Sequence, residues 1–295
     1  MPNPDFGNIG DVFKHVALAE ILATFRPKEY WESHAGSAFH DETPGVSASP
    51  AREHGVGHFV KSLGDFDALR RNIYTRAILE PSKDGRARRI PGSPYLALAQ
   101  LGDTVRRYLF CDLDAGGLGT IRGLARDLRV PESKIECVPD DGIMLLRGAG
   151  LTLSEQWTQS TLAFIDPATL QGDEGDVSPV DLWCELGNRG IGAVLCFKFG
   201  HEDERKQLHS RFIQSLDKAR LLTRKSNGFE GSFKLGPSEG LKSPWGFGLL
   251  TINIGDEATA VVDRSLRALE AAYAVASLDG GGAGSGAWRY SCRTQ

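Results

Sequence analysis

The stretch 28–39, KEYWESHAGSAF, constrains the fold more than any other part of the chain. An apolar, β-prone run reaches Glu32 and then turns through the small residues Ala35, Gly36, Ser37 and Ala38. A strand ending in a glycine-bearing turn is how doubly wound α/β proteins bring a cofactor against their backbone. The same pattern also serves as a plain connection, so the order of segments downstream must decide between the two.

Asp11 is expected to cap a helix over 12–25, where Phe13, Val16, Ala17 and Ile21 recur at helical spacing before Pro27. A first strand is expected over 30–33. A loop rich in Pro, Gly, Ser and His follows over 41–58, then a helical region over 59–79. The basic segment 83–89 (KDGRARR) and the segment 90–94 both read as turns, the second because two prolines flank Gly92-Ser93. After a helix over 95–101, strands (108–113, 134–138, 162–165, 193–199) alternate with helices (119–128, 202–221). The final third differs. Segment 229–235 alternates and 248–254 is a plain strand, which predicts an antiparallel edge on a mostly parallel sheet, closed by a helix over 261–276. Glycine-rich 280–286 predicts a flexible tail over 280–295. The whole reads as one α/β domain over 1–279 with a helical insertion at about 40–92.

Four of these strands finish in acid or a tight turn: Glu32 with His34–Gly36, Asp112 or Asp114, Asp140-Asp141-Gly142, and Asp166-Pro167. Ligands of open α/β sheets bind beyond the carboxyl ends of the strands. A carboxylate after the second strand suits the hydroxyls of a ribose, and one after the third suits an exocyclic amine. One after the fourth faces whatever reacts. Asp and Gly also favour strand-ending turns for their own sake, but four such ends in order favour a nucleoside cofactor.

Other chemistries lack their motifs. There is no GxSxG, no HExxH and no cysteine spacing of the metal-binding kind, so no metal site is expected. The five cysteines read as reduced and structural. No apolar run is long enough to span a membrane, and the beginning of the chain has neither a basic region nor a signal-type apolar core, so a cytoplasmic location is expected. The formal net charge of −4 neither supports nor excludes a nucleic acid partner.

These pieces, in this order, resemble the bacterial 23S rRNA adenine-N6 methyltransferases of the J type. Those enzymes use S-adenosylmethionine (SAM) and have a Rossmann-like class I methyltransferase core with a helical insertion. The resemblance is carried by Gly7-Asn8 with Asp11-Val12-Phe13-Lys14-His15, by Ser33-His34-Ala35-Gly36 and by Pro91-Gly92-Ser93-Pro94. Asp112, Asp141-Gly142 and Ile165-Asp166-Pro167 complete it. It implies that SAM lies over Gly36, with His15, His34 and Ser93 lining its methionine end and Lys14 on its carboxylate. Asp112 stands where the family has a glutamate and would hold the ribose. Asp141 and Gly142 would contact the adenine, and Asp166 would be the catalytic carboxylate. Plainer readings stand beside these, with His34 a buried turn histidine and Lys14 a solvated helix residue.

The departures concentrate on the acceptor side. The family's acid, two prolines and aromatic become Asp166-Pro167-Ala168-Thr169, without the ring that stacks on the target base. Stacking of that kind is worth about 1–3 kcal/mol. Ala38 replaces a second glycine, only Phe6 remains of the family's aromatic and histidine-bearing beginning, and the acidic run 172–176 (GDEGD) would repel phosphates. The basic segment 83–89 and Arg122, Arg126 and Arg129 could compensate, although the last three fit a solvated helix face. The resemblance therefore implies methyl transfer to an amine nitrogen, with RNA as the acceptor or else a small molecule, peptide or nucleoside. A SAM-binding protein without catalysis is the non-enzymatic alternative.

Overall fold

A computed structural model describes residues 6–41, 49–64, 66–80, 89–172, 177–221, 226–234, 245–275 and 287–294. The first helix, α1 (Ile9–Phe25), is capped by Asn8 rather than Asp11. The Asn8 side chain accepts from the Asp11 N–H at 3.1 Å, and the Asp11 carboxylate reaches back to the Gly7 N–H at 2.8 Å. Two short acceptors three residues apart thus share the helix end as a capping box, which starts the helix three residues early.

Strand β1 (Glu29–Glu32) follows, then β2 (Phe39–Asp41). The expected loop over 41–58 is corrected from residue 49 onward. Ser49 caps α2 (Pro50–Arg52), with Pro50 in the first turn, and a π-helical turn (Glu53–Gly57) leads into α3 (His58–Ser62). Helices α4 (Asp67–Arg71) and α5 (Ile73–Leu79) complete the insertion. The expected turn over 90–94 is also corrected. Strand β3 (Arg89–Pro91) pairs antiparallel with β2, and Pro91 ends this short edge ribbon, where a missing N–H is tolerated. The segments 42–48 and 81–88 lie outside the described residues, as does 173–176 of the acidic run.

Next come α6 (Ser93–Leu101), β4 (Arg107–Cys111), α7 (Ala115–Asp127), β5 (Ile135–Val138), α8 (Gly142–Thr152) and α9 (Glu155–Thr158). They are followed by β6 (Thr161–Ile165), α10 (Pro179–Asn188), β7 (Gly192–Phe199), α11 (Glu202–Lys218), β8 (Ser226–Lys234), β9 (Trp245–Ile252), α12 (Asp256–Val275) and β10 (Ala287–Thr294). The sheet runs β10-β8-β9-β7-β6-β1-β4-β5. Its β7-β6-β1-β4-β5 portion is parallel, and β9, β8 and β10 add the antiparallel edge. This is the expected α/β, Rossmann-like architecture. The flexible tail expected over 280–295 is corrected at its far end, where 287–294 pair with β8 along their whole length. The sequence AWRYSCRT alternates Trp, Tyr, Cys and Thr with other residues, a strand period that the neighbouring glycine run obscured. Segment 276–286 lies outside the described residues.

Alternation within each strand sends side chains to two separate cores. Tyr30, Leu162, Phe164, Val194 and Cys196 point toward α1, α6 and α12, while Trp31, Ala163, Ile165, Leu195 and Phe197 point toward α8, α10 and α11. Four cysteines (Cys111, Cys137, Cys184, Cys196) are buried and unpaired, as expected for core thiols. Among the described residues no helix is long and apolar enough to cross a membrane, and no cluster of His, Cys, Asp and Glu could hold a metal ion.

The start of α8 is pressed against the turn after β1. A Cβ on Gly142 would sit 1.8 Å from the Ser33 carbonyl oxygen, so this approach requires glycine. Gly142→Ala is expected to destabilise the protein by about 1–3 kcal/mol. Urea denaturation checks this, and an unchanged midpoint would show that the contact gives way freely.

Candidate functional site

The strand order reverses at β1, with β4 and β5 on one side and β6 and β7 on the other. Such a reversal opens a crevice beyond the carboxyl ends of β1 and β6. A cavity of about 170 Å³ lies there, lined by Phe6, Asp11, Lys14 and His15, by His34 and Gly36 after β1, by Ser93 opening α6, and by Asp166 after β6. Six of the sequence-predicted residues (Lys14, His15, His34, Gly36, Ser93 and Asp166) therefore share one cavity.

Lys14 is its electrostatic centre. Its Nζ lies 2.6 Å from Asp166 Oδ2 and 2.8 Å from Asp11 Oδ1. Burial disfavours the charged lysine, but Asp11 and Asp166 outweigh that and hold its pKa well above the ordinary value. Burial likewise opposes ionisation of Asp11, yet Lys14, His15 and the Gly7 amide together keep its carboxyl below the usual range. Lys14 is thus no solvated helix residue; it ties the first turn of α1 to the end of β6.

His15 is 6% exposed and packs its ring against Tyr74 with centroids 5.2 Å apart. Burial, reinforced by Lys14, lowers its pKa to about 3, so the ring is neutral at physiological pH. Its Nδ1 is buried and, among the described residues, has no hydrogen-bond partner. His34 Nδ1 lies 2.7 Å from Ser33 Oγ, and burial lowers its pKa against the pull of Asp166, Asp112 and Asp141.

Beneath the cavity Glu32 is fully buried and accepts from the Tyr30 hydroxyl and, at 3.2 Å, from Ser93 Oγ. Burial pushes its pKa up to about 8, so Glu32 carries its proton at neutral pH.

Gly36 adopts φ 58°, in the left-handed region. Its N–H donates to Asp112 Oδ2 at 2.7 Å, and the place a Cβ would take has no atom within 4 Å, which leaves open space above the turn. Asp112 thus pins the turn, while its Oδ1 accepts from the Asp114 N–H at 2.8 Å. Ala38 lies at the far end of the same turn. It is buried, and its N–H donates to Thr120 Oγ1 at 2.9 Å.

Asp112, Asp141 and Gly142 do not line the cavity. They stand beyond it at the ends of β4 and β5, where Asp141 caps α8 by accepting from the N–H groups of Ile143 (2.8 Å) and Met144 (3.3 Å). Two large apolar side chains that the sequence reading passed over are exposed on this same edge, Leu113 at 82% and Met144 at 47%. The signal was available, since Leu113 is an apolar residue between two turn-forming aspartates. A second missed feature is the stack at the cavity mouth. Phe6 lies on His40 with centroids 4.9 Å apart, and the Arg52 guanidinium sits 4.0 Å from the Phe6 ring centre. At about 170 Å³ the cavity falls short of the roughly 300–1,000 Å³ that encloses a whole ligand of cofactor size. A recess of this size has room for one end of such a molecule, and Leu113 and Met144 are exposed beyond the ends of β4 and β5.

No family model matches the chain, and no curated protein is similar to it in sequence. Among solved structures it is similar to protein LPL1258 of Legionella pneumophila, described under the family model DUF519, at 20% identity and a TM-score of 0.68 over 98% of both chains. That likeness shows a shared fold from end to end. Two further structures match with TM-scores too low to indicate a common overall fold. One is a precorrin-8W decarboxylase of Methanobacterium thermoautotrophicum (11% identity, TM-score 0.31, 55% of this chain and 76% of that one). The other is the methyltransferase domain of a bacterial Hen1 (9% identity, TM-score 0.37, 82% and 100%).

Buried Glu32 and buried His15 shift stability in opposite senses. Glu32, raised above its ordinary 4.5, stabilises at low pH, and that contribution is lost as pH rises toward about 8. His15, lowered from 6.5, contributes fully above 6.5 and loses its contribution as pH falls toward about 3. Between pH 6.5 and 8 Glu32 rather than His15 acts in this way, so native protein should lose stability across that window more steeply than Glu32→Gln. Denaturant titrations at several pH values check this; parallel curves would contradict the assignment.

Proposed function

We propose that this protein is a SAM-dependent methyltransferase that methylates an amine nitrogen, with RNA adenine as the acceptor. The observation that carries the reading is the gathering of Lys14, His15, His34, Ser93 and Asp166 around the open space over Gly36, at the point where the strand order reverses.

The residues present suit the cofactor's parts. Two of the three Lys14 N–H donors serve Asp11 and Asp166, which leaves the third for a carboxylate. The unpartnered Nδ1 of neutral His15 supplies a further polar contact. Asp112 has two oxygens with about four lone-pair sites and uses two of them on backbone amides, so acceptor capacity remains for ribose hydroxyls. Leu113 and Met144 offer apolar faces for an adenine beside Asp141 and Gly142. When bound, SAM supplies an electrophilic methyl group.

The chain's own task is alignment, which carries most of the rate in a transfer of this kind. Asp166, fixed by Lys14, accepts a hydrogen bond from the acceptor N–H, orients the nitrogen lone pair and takes the proton the nitrogen sheds. The insertion supports an RNA acceptor. Positions 49–92 hold nine lysines and arginines against five acidic residues in a chain of net charge −4, and Lys61, Arg70, Arg71 and Arg76 are exposed.

Incubating the protein with methyl-labelled SAM and RNA lacking the modification should transfer label to RNA, and Asp166→Ala should abolish transfer while it still binds SAM. Lys14→Met should weaken SAM binding roughly 10- to 100-fold, as expected for a lost charged hydrogen bond. Equal loss of binding and turnover in Asp166→Ala would refute the role given to Asp166. Label entering a small-amine pool instead of RNA would move the acceptor to a small molecule.

A further inference from the structure

We infer that a second cavity, beside the step from Asp166 to Pro167, is a subsite for the phosphate of a nucleotide acceptor. The inference rests on the methyltransferase reading and specifies how that acceptor is held. The cavity encloses about 270 Å³. One wall is the loop Pro167–Gln171, which leaves β6 directly after Asp166. The facing wall is the end of β7 together with one side of α11, where Glu204, Gln207, Leu208 and Arg211 follow at helical spacing.

The floor is apolar and rigid. Phe197 and Leu170 are buried, and Phe197 is braced edge-on against Phe212 with centroids 5.0 Å apart at 64°. Ala168 and Thr169 are short, so the loop leaves the space above this floor open to a ring. The rim is cationic. Lys198, near the end of β7, and Arg211, on α11, both come from this facing wall, and among the described residues neither side chain has an ion-pair or hydrogen-bond partner. The carboxylate in the lining, Glu204, is already committed to the Gly200 N–H. Further round α11, Glu202, Arg205 and His209 are engaged with one another and with Glu230.

An apolar floor with two uncommitted cations at its rim matches a planar ring carrying an anion. The Arg211 fork favours phosphate oxygens in pairs, with Lys198 adding a point charge. Because Pro167 belongs to this cavity and Asp166 to the other, a nucleotide seated here lies next to the carboxylate assigned to the acceptor amine.

The test compares adenosine, adenosine 5′-monophosphate and a short oligoadenylate as probes of the full chain by calorimetry, with SAM titrated as a control. Native protein should bind the monophosphate roughly tenfold tighter than adenosine, as expected for a charged hydrogen bond to phosphate. The double variant Lys198→Glu/Arg211→Glu and the milder Arg211→Gln should lose that preference while SAM affinity is unchanged. Equal affinity of native protein for adenosine and its monophosphate would overturn the subsite, as would a preference that survives in both variants. Tighter binding of the oligonucleotide than of the monophosphate assigns the phosphate to a strand, and equal binding assigns it to a free nucleotide. Failure of SAM to bind native protein would sink the methyltransferase reading alone, since the comparison of adenosine with its monophosphate still decides the subsite.

Discussion

One ammonium group joins the two halves of the cleft. Lys14 bridges Asp11, which belongs to the capped start of α1, and Asp166, which ends β6. The geometry depends on the cap. Asn8 and Asp11 fix where α1 begins, and three residues later the helix delivers Lys14 to the edge of the sheet. Breaking a fully buried pair from one side costs about 3–5 kcal/mol. Lys14 and Asp166 are each 21% exposed at the side chain, so solvent screens part of that cost, and the pair serves position more than stability.

The charge balance of the cavity follows from the same contact. Asp11 and Asp166 face a single lysine, His15 is neutral, and Glu32 is protonated below about 8. The lining therefore carries a small excess of negative charge in a partly dry crevice, where electrostatic interactions are stronger than in water. A ligand with a positive centre is favoured there, and one with a carboxylate at its end also finds Lys14. A sulfonium amino acid meets both conditions. The second cavity is charged in the opposite sense, with Lys198 and Arg211 at its rim. The two recesses on either side of Asp166-Pro167 thus differ in the sign of their charge.

Much of this was legible in the sequence, because strand ends and helix periods are local signals. The parallel order, the antiparallel edge and the position of Asp166 follow from alternating elements and from acids placed where strands stop. What escaped was non-local. Pro91 reads as a turn residue until its partner strand at Phe39 is known, and β10 is hidden behind glycines. Pairing across the fold decides Lys14, since nothing near it in sequence announces Asp166. Nor could a sequence show that Asp141 spends its carboxylate on capping α8, or that Gly142 is required by the Ser33 carbonyl. Leu113 was within reach. An apolar residue between two turn-forming aspartates is one that the turn holds toward solvent.

Calorimetric titration of the native protein with S-adenosylhomocysteine, the demethylated product of SAM, tests the central claim most directly. A cleft organised around Lys14 should give a saturable heat for one site in the micromolar range, about −8 kcal/mol of binding free energy. No heat at millimolar ligand would contradict the account, because the open space above Gly36 would then have no nucleoside to receive.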